Sequence, residues 1–215
     1  MEIFPSILEK EAQNYLVQIN KLSPYFNHFQ IDIADGIYVP NKTVQIDELI
    51  NYGLRITNCT FEFHLMVKDF ETEIKKLEKL RNFLNIKTVL IHASLSPDYS
   101  LLSKTYPLFS FGLVLNPEDK VSLLPSYTLL PIIQIMTVHP GFQGQPFLPE
   151  TLKKIEQLRQ ANYRNKISLD GAVNDQTIPL ILAQKYRPDI LCPGSFLTKT
   201  VELEKNINYL KKIVR

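Results

Sequence analysis

Eight short apolar runs recur along the chain, at residues 3–8, 29–34, 61–66, 86–92, 109–115, 131–138, 166–170 and 189–194. Between them lie amphipathic stretches of helical spacing, most clearly 69–84, 149–163 and 201–214. In the first of these, Phe70, Ile74, Leu77 and Leu80 form one stripe, with lysines and glutamates on the other side. Strands that alternate with helices pair in parallel, because a parallel pair needs a long crossover and a helix supplies it. Eight such units predict an α/β fold of the (β/α)8 TIM barrel type, in one domain spanning residues 1–215. An open doubly wound sheet is the alternative, but it normally uses fewer strands.

Composition narrows the class of function. Apolar residues make up 45% and charged residues 21%, as in an ordinary globular protein, and the formal charge of +2 comes without a basic block. Nucleic acid is therefore not indicated as a partner. Cys59 and Cys192 are the two cysteines of a chain too large to need staples, so both are expected to be reduced. The opening "MEIFPSILEKEA" lacks a basic segment followed by an apolar one, so no signal peptide is expected. No run of about 18 apolar residues marks a membrane span. A cytoplasmic protein is expected.

In a barrel, chemistry belongs at the C-terminal ends of the strands, and the unusual residues fall there. The stretch "FNHFQIDIADGIYVPN" alternates, with Phe29, Ile31 and Ile33 on one face and His28, Gln30, Asp32 and Ala34 on the other. An unpaired carboxylate at position 32 would be expensive to bury, so Asp32 needs a partner or a task. Ser6, His64, His92, Asn116, Met136, His139 and Asp170 occupy corresponding strand ends. Each could be a satisfied barrel residue, and for His92 or Asn116 alone that is the simpler reading. Asp32, His64 and Asp170 together point to a functional site. Of seven glycines, Gly141, Gly144, Gly171 and Gly194 follow the sixth, seventh and eighth strands. They are either plain tight turns or turns that gather backbone N–H groups around a phosphate.

In chain order, "PSIL", "IDIADGIYVPN", "FHLMV", "GLVLNP", "MTVHPGFQGQPF", "LDGAV" and "PGS" resemble the pattern of the ribulose-phosphate 3-epimerase family. Related pentulose- and hexulose-phosphate 3-epimerases, including the allulose-6-phosphate type, share it. The resemblance runs from Pro5 to about Ser195, with "DGIYVPN" and "MTVHPGFQGQ" its most specific parts. It implies a barrel of the ribulose-phosphate-binding type, usually a homo-oligomer, in the pentose phosphate pathway. The implied reaction interconverts D-ribulose 5-phosphate and D-xylulose 5-phosphate through an ene-diolate. An epimerase or isomerase for another ketose phosphate, or a catalytically silent sugar-phosphate-binding barrel, are the other readings.

By that resemblance Asp32 and Asp170 are the acid and base, and with His64 they bind a divalent metal: zinc, iron or manganese. Ser6, His64, Met66 and Met136 correspond to substrate contacts, and Gly141, Phe142, Gln143, Gly144, Gly171, Ala172, Gly194 and Ser195 to the phosphate loops. The chain departs from the family at Gln30, where a histidine metal ligand is usual, at Ala34, in place of methionine, and at Ala172, in place of glycine. Gln30 shares a strand face with Asp32, about 6.6 Å away, whereas His28 lies about 13 Å from Asp32 and does not replace the missing imidazole. An amide is a poorer ligand for zinc or iron, so a weakened or altered metal site is expected.

Overall fold

Pro5 divides the first barrel strand, and the two halves close the sheet. In the computed structural model, which describes residues 1–123 and 128–213, β1 (Glu2–Ile3) pairs with β9 (Ile190–Cys192) while β2 (Ser6–Ile7) pairs with β3 (His28–Ala34). Proline has no N–H to give a ladder, but the Pro5 carbonyl still accepts from the Gln30 N–H at 3.0 Å. From β3 the ladder continues through β4 (Ile56–Met66), β5 (Leu84–His92), β6 (Ser110–Leu115), β7 (Ile132–Met136) and β8 (Lys166–Asp170) to β9, every pairing parallel. With β1 and β2 counted as one, this is the predicted (β/α)8 barrel.

The helices α1 (Ala12–Leu22), α2 (Ile46–Tyr52), α3 (Phe70–Leu80), α4 (Tyr99–Thr105), α5 (Lys153–Gln160) and α6 (Ile178–Leu182) occupy crossovers, and α7 (Ser195–Thr198) and α8 (Leu203–Ile213) follow the last strand. Asp69 starts α3 by accepting from the Thr72 N–H, and the helix stops at Leu80, before β5 begins at Leu84 and four residues short of the end its periodicity implied. The predicted helix 149–163 opens with a 3-10 turn, Pro149–Leu152, proline being suited to a first helical position. The predicted helix 201–214 forms over Leu203–Ile213, and Val214 lies outside the described residues. β4 begins at Ile56 rather than near Phe61: "ITNCT" buries Ile56 and Cys59 but exposes Thr57 and Asn58, and its pairing with β5 shifts register between Ile56 and Thr60. Among the described residues, no helix is long and apolar enough to cross a membrane.

The two faces of the sheet differ in chemistry. Outward-facing Ile31, Ile33, Phe61, Phe63, Val89, Ile133 and Leu169 pack with helical Ile19, Leu77, Leu158 and Leu210 into the main core. Inside the barrel a smaller apolar plug of Phe4, Leu90, Val114, Ile132 and Ile190 sits below a polar layer. That layer comprises Gln30, Asp32, Glu62, His64, His92, Gln134, Ser168 and Asp170, all buried. Gly112 makes room for the plug: a Cβ there would lie 2.5 Å from Ile132 Cγ2 and 2.6 Å from Leu90 Cδ2. Overpacking of this kind typically costs about 1–3 kcal/mol. Gly112→Ala should lower the denaturant midpoint by that equivalent, with the slope of the transition unchanged.

Candidate active site

Parallel register brings the strand-end residues together. Asp32 is paired with His64 across β3 and β4, and Met136 with Asp170 across β7 and β8. Gln30, one pleat below Asp32, donates from Nε2 to Asp32 Oδ1 and to Asp170 Oδ2, each at 2.8 Å. The Ser6 hydroxyl donates to Asp32 Oδ2 at 3.1 Å. The Gln134 amide donates to Asp170 Oδ2 at 3.3 Å and is itself oriented by the Ser168 hydroxyl, 3.1 Å from Gln134 Oε1. Behind the site the buried Tyr15 hydroxyl donates to the Asp32 backbone carbonyl at 2.8 Å.

His64 Nδ1 lies 3.1 Å from Asp32 Oδ1 and 3.5 Å from Asp170 Oδ2. Its Nε2 faces His92 Nε2 at 2.9 Å, and His92 Nδ1 lies 2.9 Å from Asn116 Oδ1. Asn116 Nδ2 donates to the Tyr38 hydroxyl, which meets Ser94 Oγ at 2.7 Å. This chain has a direction. The Asn116 oxygen requires the proton of His92 on Nδ1, so His92 Nε2 accepts and His64 Nε2 donates. With carboxylates facing its Nδ1 as well, His64 carries two protons.

The electrostatics agree. Burial pushes the His64 pKa down, but the hydrogen bonds and charges of Asp170 and Asp32 outweigh it and raise the group to about 9. His92 is driven well below its ordinary value by burial and by His64 beside it. Asp32 is held above the usual carboxylate range by burial and by Asp170, against the opposing pull of His64 and Gln30. Below them Glu62, in register with Gln30, is raised by burial to about 8.

Asp32 and Asp170 line one cavity with Ser6, His64, Met66, Met136, Gly141, Phe142, Gln143, Gly144, Gly171, Ala172, Gly194 and Ser195. Gln30 lies beneath it, His92 and Asn116 stand behind His64, and His139 is exposed outside the lining. In that lining Gly141, Gly144 and Gly171 have φ of 117°, 83° and 114°, a region that glycine enters freely. Ala172 holds φ of 48°, which an alanine enters only at a cost of about 1–2 kcal/mol. A Cβ on Gly171 would lie 2.9 Å from the Val138 backbone nitrogen, so this turn needs glycine for space as well. The Gln143 amide is buried at both ends with no hydrogen-bond partner. Asn174, Gln145 and Cys192 also line the cavity, and Gln134 and Tyr38 support it from outside. Sequence reasoning missed these; Asn174 alone had a local signal, two residues after "DGA".

The sequence profile of the ribulose-phosphate 3 epimerase family matches residues 2–196. The chain belongs to this family. It is similar to the ribulose-phosphate 3-epimerase of Bacillus subtilis (strain 168), 31% identical over 226 residues and covering 98% of each chain. The ribulose-phosphate 3-epimerase of Methanocaldococcus jannaschii is 27% identical over 99% of this chain and 90% of its own. Solved structures with the same fold include a tryptophan synthase α-subunit from Pyrococcus furiosus, at a TM-score of 0.70 and 11% identity, covering 98% of each chain. Another is the 3-hexulose-6-phosphate synthase of Salmonella typhimurium, at 0.64 and 10%, covering 100% of this chain and 98% of the other. Family membership makes the chain an epimerase, an isomerase acting on a carbohydrate.

The site has the donors a divalent metal would need. Asp32, His64 and Asp170 each offer one ligand atom, and these atoms lie within 4.8 Å of one another. One imidazole and two carboxylates suit a three-ligand catalytic site with a position left open. Binding there would displace the His64 Nδ1 proton, since a ligating imidazole is neutral.

Chelator-treated protein should therefore show one histidine that stays charged to about pH 9 and one, His28, that titrates near pH 4, its pKa lowered chiefly by burial. Side-chain nitrogen NMR across that range is the measurement. The sign for stability follows: the raised His64 stabilises the fold fully below its ordinary value of 6.5, and that contribution disappears as pH rises through about 9.

Proposed function

We propose that this chain inverts C3 of a ketose phosphate, interconverting D-ribulose 5-phosphate and D-xylulose 5-phosphate, with Asp32 and Asp170 as the acid and base. The observation that carries this reading is a pair of buried carboxylates bridged by one amide nitrogen, in a cavity whose lining also includes glycine turns. Inverting a carbon beside a carbonyl needs one group that removes a proton and another that returns one to the opposite face. Two neighbouring carboxylates resist joint ionisation and share a proton, so one is ready as base and the other as acid. Asp32 and Asp170 reach the cavity from opposite sides of the Gln30 amide, so one takes the C3 proton and the other supplies a proton to the opposite face. In the reverse direction the roles exchange.

Ser6 and Gln30 orient Asp32, and Gln30 with Gln134 orients Asp170, so neither carboxylate has to reorganise as the proton moves. Met66 and Met136 line the cavity floor with soft apolar surface that excludes water from the reacting carbons. Phosphate binds among Gly141–Gly144, Gly171, Ala172, Gly194 and Ser195, where the unpaired Gln143 amide gains a partner. Asp32, His64 and Asp170 would hold a divalent metal, and that metal would offset the negative charge that develops on the ketose oxygen.

Asp32→Asn and Asp170→Asn are each expected to reduce kcat for D-ribulose 5-phosphate by at least about 10²-fold, with circular dichroism unchanged. Near-parental turnover in either variant removes that residue from the mechanism.

Gly194→Leu should act on binding instead. A Cβ there lies 3.2 Å from the Gln143 amide nitrogen and from Ser6 Oγ, so the larger side chain enters the phosphate end. Its KM for the phosphorylated ketose should rise more than its kcat falls. The parent protein should turn over the unphosphorylated ketose poorly; equal rates on both sugars would refute the phosphate assignment.

A further inference from the structure

Two buried oxygens without a hydrogen bond belong to residues that face one another across β3 and β4, one pleat below Asp32 and His64. They are Gln30 Oε1 and Glu62 Oε1, on residues whose exposure is 0% and 1%. The strands hold Gln30 and Glu62 directly in register, on the same inward face as Asp32 and His64 one pleat above. A buried oxygen without a donor is expensive, and two on facing residues share a cause.

A half turn of the Gln30 amide about its last bond exchanges its oxygen and nitrogen at almost no steric cost. The N–H groups then point to the Glu62 side, where a carboxyl oxygen is free to accept. Oε1 takes the place of Nε2, which lies 2.8 Å from both Asp32 Oδ1 and Asp170 Oδ2. Three oxygens converging there repel one another unless a cation lies among them.

We propose that Gln30 is a turning metal ligand: its Nε2 joins the two carboxylates in one orientation, and in the other its Oε1 ligates a divalent cation together with Asp32, Asp170 and His64. Glu62 is the positioning residue that accepts the released amide N–H. The donor set becomes one nitrogen and three oxygens, one of them a neutral carbonyl. Such a set discriminates less strongly in favour of zinc over manganese than one richer in imidazole. This rests on Asp32, His64 and Asp170 as a cation site, as proposed above, and does not depend on the sugar.

The test is equilibrium binding of Mn²⁺ and Zn²⁺ to the full chain by chelator competition, without substrate, for the parent, Gln30→Leu and Gln30→His. Gln30→Leu removes both amide groups and leaves an apolar side chain one atom shorter. It should weaken Mn²⁺ binding at least about tenfold. If Gln30 were only a donor competing with the cation, freeing the carboxylates would leave binding unchanged or tighter, and that result overturns the proposal. Gln30→His should tighten Zn²⁺ more than Mn²⁺; equal tightening overturns the donor-set argument. Glu62→Leu keeps Gln30 but removes its acceptor, and should weaken Mn²⁺ by about tenfold as well. It also serves if Gln30→Leu does not fold, and unchanged binding in it overturns the part assigned to Glu62. A chain that binds Mn²⁺ in this way but lacks epimerase activity would refute the proposed reaction and leave this inference standing.

Discussion

Two carboxylates buried within reach of one amide nitrogen set the terms for the whole barrel interior. Removing such charges from water costs several kcal/mol each unless they are paired and hydrogen-bonded. The chain meets that cost with donors from four directions: the amide of Gln30, the hydroxyl of Ser6, the imidazole of His64 and the amide of Gln134. Each of these needs its own support. Ser168 fixes Gln134, and His92 with Asn116 fixes His64. The polar layer is a consequence of the aspartates rather than a separate feature.

That layer is possible because stability is obtained elsewhere. The outward faces of the strands and the inner stripes of the helices form a large apolar core, separate from the barrel interior. Inside, the apolar plug around Leu90 and Ile132 seals one end and leaves the C-terminal end to charged groups. The division follows from period-two alternation: each strand gives one face to packing and the other to chemistry.

The rim is tied to the site by the same hydrogen bonds. Tyr38, on the loop after β3, meets Asn116 after β6 and Ser94 after β5, and its ring lies 4.8 Å from that of His92. Asn41, on the same loop, donates to the Gly141 carbonyl at 2.6 Å, which links it to the glycine turn after β7. The loop after β3 is thereby tied both to the histidine pair and to the turn at Gly141.

Much of this was legible in one dimension. Eight apolar runs with helical stretches between them specify a barrel because parallel strands need crossovers, and strand ends specify where chemistry gathers. Asp32, His64 and Asp170 stood out because a charge at the end of an apolar strand demands a partner. Local sequence does not carry register between strands far apart in the chain. Gln30 was recognised as unusual from its place beside Asp32, but its bond to Asp170, 140 residues away, exists only once β3 and β8 face each other across the closed barrel. His92 and Asn116 read alone as ordinary barrel residues, and Glu62 and Gln134 carried no signal. Alternation along a strand shows which residues share a face, and so the sequence determined that Gln30 and Asp32 lie on the side opposite Phe29, Ile31 and Ile33. Which of those residues touch depends on ring closure, and that the tertiary structure alone decided.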